Sequence, residues 1–395
     1  MTSSTRETDI ELLGQGSYGC VYKPSIQCDG KLGSKKYITK IQEKALDNEI
    51  NIGKKVQKIP DFDKYFSPIL EVCSLNLSKI GEDKMKYCMI YNKKTEYISS
   101  KIKYVGKNTL HKSLYNLLDK YPKLFFRMYI SSHVDLLKYV DILYKHKIVH
   151  MDLKQDNIMI KDKSNTPIII DFGLSFDISD FKPEDVFFAY GYDYSPWAMD
   201  IIMITYMVYY KGNEDLKWYN DVLTQQDIEK VLSDTMKANT LMTTFTKEER
   251  LQYEEKCYEY FKPFKGKICK ELYAELLKNS YSWDGYALCS MYYKMLANYN
   301  LLSEPIFKGY SKLLKSYLLE VPNKRITTLE LRKNIKSLFN MDTIKESKKI
   351  ISKKLKSMQK KEKQAIEKKM QNDYINELNQ TIQYREKQKD AIINK

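Results

Sequence analysis

The spacing of hydrophobic and polar positions changes near residue 107, and the pattern before this residue predicts a β-sheet. Short apolar runs there alternate with Gly and turn residues, which is typical of antiparallel strands. The predicted strands are Glu11–Leu13, Cys20–Lys23, Tyr37–Gln42, Tyr87–Tyr91 and Ile102–Val105. A single helix is predicted over Glu43–Gln57. The pattern therefore predicts a small antiparallel region over residues 1–106.

From Asn108 onward the apolar spacing becomes helical. Leu110, Leu114, Leu117 and Leu118 share one face, and a second, longer helix is predicted over Leu124–Lys145. Three short apolar runs then predict strands, at Ile148–Val149, Ile158–Ile160 and Ile168–Ile170. The remainder to about residue 340 has a mostly helical pattern. A larger helical region over residues 107–341 is expected, which makes the fold class α+β.

The carboxyl-terminal segment, residues 342–395, differs from the rest of the chain. It has no Pro or Gly, and from Lys345 to Lys395 it has 15 Lys and Arg against 7 Asp and Glu. This net charge of +8 is about half of the chain's +15. A broken apolar stripe predicts a basic amphipathic helix that packs on the body or on a second copy. The alternative is an arm that contacts nucleic acid or a membrane surface.

Composition narrows the class of protein. Of 395 residues, 43% are hydrophobic and 30% charged, which argues against general disorder. The longest apolar run, Ala198–Tyr210, is too short to cross a bilayer, so no membrane span is expected. The first thirteen residues lack the apolar core of a signal peptide. Seven Cys without a CxxC pair predict a reducing, cytoplasmic compartment, and four scattered His offer no zinc site.

The first segment with chemical potential is Gly14-Gln15-Gly16-Ser17-Tyr18-Gly19-Cys20-Val21. Glycines at this spacing let the backbone fold closely over phosphates and offer N–H groups to the anion. The alternative is a tight hairpin turn without a ligand. Because the segment joins a strand to a strand, a dinucleotide fingerprint, which leads into a helix, is disfavoured.

A lysine lies among apolar neighbours in the predicted strand Tyr37–Gln42. Lys40 is either a residue on the solvent face of the sheet or a buried cation that binds an anion. The following helix supplies carboxylates that could pair with it. Glu49 is the best placed, with Glu43 as the alternative.

Two further segments complete the candidate site. In His150-Met151-Asp152-Leu153-Lys154-Gln155-Asp156-Asn157, Asp152 can orient a hydroxyl, Asn157 can bind a metal through its amide oxygen, and Lys154 can neutralise a phosphoryl group. In Asp171-Phe172-Gly173, a carboxylate follows a buried strand and is a natural second metal ligand. Each segment alone could be turn chemistry, but their order and spacing together favour phosphoryl transfer.

In this order the segments resemble the motifs of the eukaryotic-type protein kinase superfamily: GxGxxGxV, the strand lysine, HRDLKxxN and DFG. Pro322-Asn323-Lys324-Arg325-Ile326-Thr327 is similar to the family's late DPxxRxT segment. The resemblance covers about residues 10–340. It implies a bilobal fold with an N-lobe over 1–106, a C-lobe over 107–341 with a helical insertion around 201–282, and a basic helical tail over 342–395.

The resemblance also implies roles, with ATP and Mg²⁺ as cofactors. Asp152 would accept the proton of the substrate hydroxyl, and Lys154 would contact the γ-phosphate. Lys40 would bind the α- and β-phosphates, positioned by Glu49. The remaining roles are metal binding by Asn157 and Asp171, and cover of the nucleotide by Gly14, Gln15, Gly16, Ser17, Tyr18, Gly19 and Val21.

Several positions depart from the family pattern. Met151 replaces the loop arginine, which predicts activity without phosphorylation of the segment after Asp171. No Ala-Pro-Glu follows, and Asp200 is the candidate partner of Arg325 in its absence. The central helix of the C-lobe has two candidates, Met199–Tyr210 and the segment that begins at Trp283, of which the second is favoured.

Lysine two residues after Asp152 resembles the Ser/Thr branch, so the chain is expected to be a protein serine/threonine kinase. It is similar to kinases of large cytoplasmic DNA viruses (poxvirus, asfarvirus and iridovirus groups), or to a casein-kinase-like enzyme of an AT-rich protist. The expected partners are protein substrates, among them acidic, virion or nucleic-acid-associated proteins. If the chain is viral, the host cytoplasm or the virion is the expected location. The alternatives are an ATP-binding pseudokinase scaffold, a small-molecule kinase and a nucleic-acid-binding protein.

Overall fold

A computed structural model describes residues 10–16, 19–42, 47–75, 87–88, 97–162, 164–211, 217–339 and 341–393. The chain forms two compact units. The first comprises Met1–Lys107 together with Met159–Ser164 and Ile168–Ser175. The second comprises Asn108–Ile158, Asn165–Pro167 and Phe176–Lys395. The segment Ile168–Ser175, expected within residues 107–341, thus groups with the first unit.

The first unit is built on a five-stranded antiparallel sheet. Its order is β1-β2-β3-β6-β5, and a short strand β4 pairs in parallel with β10. The bounds are β1 Glu11–Gly16, β2 Gly19–Lys23, β3 Tyr37–Gln42, helix α1 Asp47–Gln57, β4 Phe66–Ser67, β5 Ile69–Leu75, β6 Tyr97–Lys103 and β10 Pro167–Ile170.

The predicted strands around Leu12, Val21 and Lys40 are confirmed, whereas the sequence pattern missed β5 and placed β6 too late. A β-bulge between Ile69 and Glu71 shifts the alternation in β5, so its period-two pattern is broken. The start of β6 was missed because its serines are polar although they are buried. Of the predicted strand Tyr87–Tyr91, only Tyr87 and Cys88 are described, and neither is in a strand.

The cysteines of the first unit form two disulfides, Cys20–Cys88 and Cys28–Cys73. The expectation of a fully reduced chain is therefore wrong for these four residues. The odd count and the missing CxxC were poor guides, because the fold brings together cysteines that are 68 and 45 positions apart in the sequence. Cys20 and Cys88 also belong to the buried apolar core of this unit.

The second unit is mainly helical. Its short strands are β7 Asn108–Thr109, β8 Ile148–Val149, β9 Ile158–Ile160 (which ends in the first unit) and β11 Phe176–Asp177. Its helices are α2 Leu110–Lys120, α3 Pro122–Lys145, α4 Pro183–Val186, α5 Met199–Tyr210, α6 Gln225–Ala238, α7 Lys247–Phe261, α8 Cys269–Leu277, α9 Trp283–Asn298, α10 Pro305–Leu318, α11 Thr328–Leu338, α12 Met341–Ser357 and α13 Lys360–Ile393.

Two helices of this unit are almost completely buried. From Trp283 to Leu296 every residue of α9 is buried, and so is α5 from Met199 to Val208. A helix that is apolar on all sides belongs in the interior of a domain. Helices α5 to α8 occupy the region of the expected insertion, residues 201–282. That this region is an insertion stays a prediction.

The carboxyl-terminal segment is helical and packs on its own unit. In α12 and α13 the apolar side chains Ile351, Leu355, Ile366, Met370 and Tyr384 are buried. The first alternative for this segment, a helix packed on the body, is therefore the one that the structure shows. Contact with nucleic acid stays a prediction. Among the described helices, none has the length and apolar character needed to cross a membrane.

Candidate active site

The glycine segment forms a hairpin at one edge of the sheet. Strands β1 and β2 pair from Glu11↔Lys23 to Gly16↔Gly19. Ser17 and Tyr18 lie outside the described residues. A Cβ at Gly19 would collide with the carbonyl oxygen of Ile41 on β3. A Cβ at Gly14 would meet nothing within 4 Å. Close strand packing therefore explains Gly19, whereas packing gives no reason for Gly14.

The strand lysine meets a carboxylate of α1. Lys40 Nζ lies 3.1 Å from Glu49 Oε1 and 3.3 Å from Oε2. The side chain of Lys40 is 15% exposed and that of Glu49 is 6% exposed. Glu49 is thus the carboxylate that pairs with Lys40, and the alternative, Glu43, lies outside the described residues. A binding role for this pair stays a prediction.

The Asp171-Phe172-Gly173 segment follows β10 in the first unit. Asp171 has a positive φ of 61°, and its Oδ1 accepts a hydrogen bond from Gly173 N at 3.4 Å. The ring of Phe172 packs edge-on against Phe66 at 6.2 Å. A non-glycine residue in the left-handed region is uncommon and clusters at functional sites. The hydrogen bond from Gly173 N is a contact of the Asp171 carboxylate within this turn.

The predicted catalytic loop follows β8 in the second unit, and three of its side chains converge. Lys154 Nζ lies 3.1 Å and 3.2 Å from the two carboxylate oxygens of Asp152. Asn157 Nδ2 donates to Asp152 Oδ2 at 2.9 Å and to its main-chain oxygen at 2.8 Å. All three residues are buried. The amide nitrogen of Asn157 thus points to Asp152 and leaves its oxygen for another ligand.

The loop backbone is held by a carboxylate of the central helix α9. Asp284 accepts hydrogen bonds from the main-chain N–H of His150 at 2.8 Å and of Met151 at 3.1 Å. Met151 has a positive φ of 67°, so the backbone turns sharply just before Asp152. Burial raises the pKa of Asp284, partly offset by His150 and the two N–H donors. The favoured candidate for the central helix therefore contacts the catalytic loop directly.

The other candidate, α5, has a different task. Arg325 donates to Asp200 Oδ1 at 2.8 Å, and Trp283 Nε1 donates to Asp200 Oδ2 at 2.5 Å. Neither side chain of the Arg325–Asp200 pair is exposed to solvent. Asp200 is thus the partner of Arg325, as expected from the missing Ala-Pro-Glu. The pair joins α5 to the segment before α11.

The structure adds two residues that sequence reasoning did not include in the site. The hydroxyl of Tyr194 donates to Asp152 Oδ1, and Thr381 of α13 hydrogen-bonds to Lys154 Nζ. Burial raises the pKa of Tyr194 well above its usual range, and the Asp152 carboxylate adds to this, so the hydroxyl stays a donor. No motif in the sequence marks either residue. Both come from segments far along the chain, 42 and 227 positions from their partners.

The donor set suits a hard divalent cation that is shared with phosphates. Asn157 offers an amide oxygen and Asp171 a carboxylate, which are oxygen ligands of the kind that Mg²⁺ takes. Within the described residues, no cluster of three or more His, Cys, Asp or Glu could hold a metal ion. Mg²⁺ usually needs only one or two protein carboxylates, because substrate phosphates and water complete its shell. Asn157 in the second unit and Asp171 in the first are thus each an oxygen ligand of the kind that a magnesium-nucleotide complex uses.

Comparison with known proteins agrees with this arrangement. Residues 8–196 match the family model described as the protein kinase domain. The chain is thus similar to protein kinase domains over just under half of its length. Its sheet unit and helical unit are those of the two-lobed kinase fold.

Two curated relatives are NUAK family SNF1-like kinase 1 of Homo sapiens and of Mus musculus. Each is 28% identical over 169 residues, which is 42% of this chain and 22% of the relative. The aligned part is thus about a fifth of those kinases' length. These findings support a place in the eukaryotic-type protein kinase superfamily.

Proposed function

We propose that the chain is an ATP-dependent protein serine/threonine kinase. The observation that carries the proposal is the buried Asp152 carboxylate, with Lys154 Nζ at 3.1 Å and the Asn157 amide at 2.9 Å. A fixed carboxylate beside a fixed ammonium can take a proton from a hydroxyl while the added charge on the phosphoryl group is neutralised. The kinase domain match supports this reaction class.

In the proposed reaction, Asp152 orients the hydroxyl of a serine or threonine and accepts its proton. The hydroxyl oxygen forms a bond to the γ-phosphorus, and the bond from that phosphorus to the bridging oxygen of ADP breaks. The Lys154 side chain compensates charge on the transferring group. Asn157 fixes the Asp152 carboxylate through its amide N–H, so that little reorganisation is needed.

The residues of the first unit would bind the nucleotide. Lys40 would pair with the α- and β-phosphates while Glu49 holds its ammonium in place. The main chain around Gly14 would lie over the phosphates, because no side chain there fills the space. Asp171 of this unit, and Asn157 of the second unit, are each proposed as a ligand of Mg²⁺, which would neutralise phosphate charge when it is bound.

We infer that the kinase does not depend on phosphorylation of the segment after Asp171. Met151 stands where an arginine would bind such a phosphate, and its main-chain oxygen accepts a hydrogen bond from Trp197 Nε1 at 2.9 Å. The segment is thus tied to the catalytic loop by a neutral contact. Control would have to act through other contacts.

The finer assignments rest on the sequence. Lys154, two residues after the base, favours serine and threonine over tyrosine as acceptors. The net charge of +15 favours acidic protein substrates, including virion or nucleic-acid-associated ones. A viral origin, and with it a host-cytoplasm or virion location, rests on the motif pattern and composition.

An ATP-binding scaffold is a second candidate, favoured by one observation. The Asp152 side chain is fully buried and its Oδ1 accepts the Tyr194 hydroxyl, so the base is not open to an acceptor as it stands. In the state that the structure shows, Asp152 cannot take a proton from an acceptor. An active kinase would need a second state in which this carboxylate is open. The two functions differ in whether any condition yields phosphate transfer.

The test is transfer of radiolabelled phosphate from ATP with Mg²⁺ to casein, myelin basic protein and the chain itself. Asp152→Asn serves as the matched control, since it keeps the size of the side chain. The proposal expects label on serine or threonine that falls about 10²- to 10⁴-fold in the variant. Equal label in both proteins would contradict the role of Asp152. ATP-induced thermal stabilisation without label under any condition would favour the scaffold.

A further inference from the structure

The last helix of the chain, α13, lies directly on the catalytic loop of its own unit. Thr381 Oγ1 hydrogen-bonds to Lys154 Nζ, the ammonium that also contacts both oxygens of Asp152. The Thr381 side chain is buried there. A threonine hydroxyl of this chain therefore accepts a hydrogen bond from Lys154, and it donates its own proton to the main-chain oxygen of Glu377 at 2.8 Å.

Aromatic packing secures the same stretch of α13. The ring of Tyr384 lies 4.9 Å from that of Trp197 and 5.5 Å from that of Tyr194. A Cβ at Gly191 would collide with the Tyr384 hydroxyl and the Trp197 ring, so a larger residue has no space there. Gln380 Nε2 also donates to the main-chain oxygen of Asp193 at 3.1 Å. The segment from Gly191 to Trp197 thus forms a fitted seat for the helix.

One turn before Thr381, a second charged contact is buried. Lys294 of α9 lies 2.9 Å from Glu377, and the two side chains are only 6% and 9% exposed. Lys294 also donates to the hydroxyls of Ser195 and Thr240, at 3.2 Å each. Burial alone would lower the pKa of Lys294, but Glu377, with a smaller effect from Asp373, raises it overall. Glu377 is thus the carboxylate that pairs with this ammonium in the structure.

A buried ammonium that loses its carboxylate leaves a costly unpaired charge. If α13 dissociates from the segment Gly191–Trp197, Lys294 therefore favours the binding of a segment that places an acidic side chain beside its ammonium. The position of that side chain is set by the helix: Glu377 precedes Thr381 by four residues, which is one turn. The seat thus selects both a hydroxyl at Lys154 and a carboxylate one turn before it.

We propose that this seat is the binding site for protein acceptors, and that α13 occupies it within the same chain. The proposal rests on the proposed kinase function and extends it in two ways. Thr381 takes the place of the acceptor hydroxyl, and Lys294 selects helical acceptors with Glu or Asp four residues before their Ser or Thr. Activity is restrained until an acidic partner or substrate displaces α13.

The test uses the full chain and two lysine substitutions on the same helix. Glu377→Lys places two ammonium groups together in a buried contact, and we expect it to expel α13. Glu367→Lys makes the same charge change at an exposed position of α13 and is the control. Release is measured without catalysis, as amide hydrogen exchange of residues 366–384. Phosphate transfer is measured on a helical peptide with Glu four residues before Thr, and on the same peptide with Lys there.

We expect Glu377→Lys to increase hydrogen exchange in α13 and to raise transfer to the acidic peptide roughly 10-fold or more. Glu367→Lys should resemble the unmodified chain in both readouts. A charge-exchanged double variant, Lys294→Glu with Glu377→Lys, should restore protection of α13. The double variant also guards against a variant that merely unfolds, since an unfolded chain would not regain protection.

The outcomes separate this inference from the proposed function. If α13 is released but no variant transfers phosphate, the proposed function is wrong, and the acceptor site falls with it. If the unmodified chain transfers phosphate as fast as a chain with α13 released, the function stands and the inference is overturned. The same holds if hydrogen exchange of α13 is unchanged in Glu377→Lys. Equal rates on the two peptides would overturn the role of Lys294.

Discussion

Two ion pairs, one in each unit, show how differently these two parts of the molecule use charge. Lys40 meets Glu49 with 15% of the lysine side chain exposed, whereas Arg325 meets Asp200 with no exposure on either side. A partly exposed ammonium can still contact a ligand, but a fully enclosed guanidinium can only support the fold. Lys40 can therefore bind a substrate, whereas Arg325 stabilises the second unit.

The catalytic loop does not fall into either class. Asp152 and Lys154 have the chemistry of a reactive site and the burial of a structural pair. Tyr194 and Thr381 account for this burial through direct contacts. The burial of this site thus involves residues of the same chain that lie far from the loop in sequence. Our proposal is that the site opens when α13 is displaced.

The largest effect on stability is expected at Arg325 and Asp200. Asp200→Asn leaves Arg325 buried with a reduced counter-charge, and we expect a loss of about 3–5 kcal/mol in the free energy of unfolding. Denaturant unfolding of the second unit measures it. The exposed pair Lys262–Glu259 is the control, and Glu259→Gln should leave the free energy of unfolding nearly unchanged. If the two losses were equal, the enclosed pair would not be the support that we describe.

A large effect on catalysis is expected at Lys40. Lys40→Met removes the charge proposed to bind phosphates, and transfer should fall about 10²- to 10³-fold. Glu49→Gln keeps a hydrogen-bonding group beside the ammonium, and a smaller fall is expected. Steady-state kinetics at varied ATP measure both variants. Lys40→Met also leaves the buried Glu49 carboxylate unpaired, so transfer is compared at a temperature at which circular dichroism shows both proteins to be folded. A transfer rate that survives Lys40→Met would remove Lys40 from the site.

How much of this was predictable follows from sequence distance. Lys40 and Glu49 are nine positions apart, and Asp152 and Asn157 are five positions apart. Local spacing was therefore enough to predict that the members of each pair lie close together. The cover could not be predicted, since Thr381 is 227 positions from Lys154 and has no motif. The sequence predicted an amphipathic tail helix but not the surface that it packs on. That surface is specified by packing around Trp197 and by Lys294.

The disulfides were unpredictable for a related reason. Cysteine counts ignore which strands become neighbours, and β5 itself was hidden by its bulge. With β5 undetected, Cys73 had no predicted place in the sheet. Cys28 and Cys73 are nevertheless joined across 45 positions.

The smallest expected effect is a pH dependence in the helical unit. His133 stacks on Tyr292 at 4.1 Å, its Nδ1 lies 2.6 Å from the Tyr310 hydroxyl, and burial lowers its pKa to about 3. The unfolded chain binds this proton near pH 6.5, whereas the folded chain does not. Stability is therefore full above pH 6.5 and falls as the pH drops towards 3.

At pH 5 this loss should be roughly 2 kcal/mol relative to neutral pH. His133→Phe should remove that part of the slope, and the exposed His146→Gln should keep it. Unfolding free energies at pH 7 and pH 5 measure the difference. An unchanged slope in His133→Phe would show that other groups cause the pH dependence.

The central claim is that a phosphotransferase site lies under a cover made by its own chain. It is tested most directly by radiolabelled phosphate transfer from ATP with Mg²⁺ in Glu377→Lys, with and without Asp152→Asn. We predict label on serine or threonine in the single variant, at least about 10²-fold above the double variant. Released α13 with no label, or label that persists without Asp152, would contradict the claim.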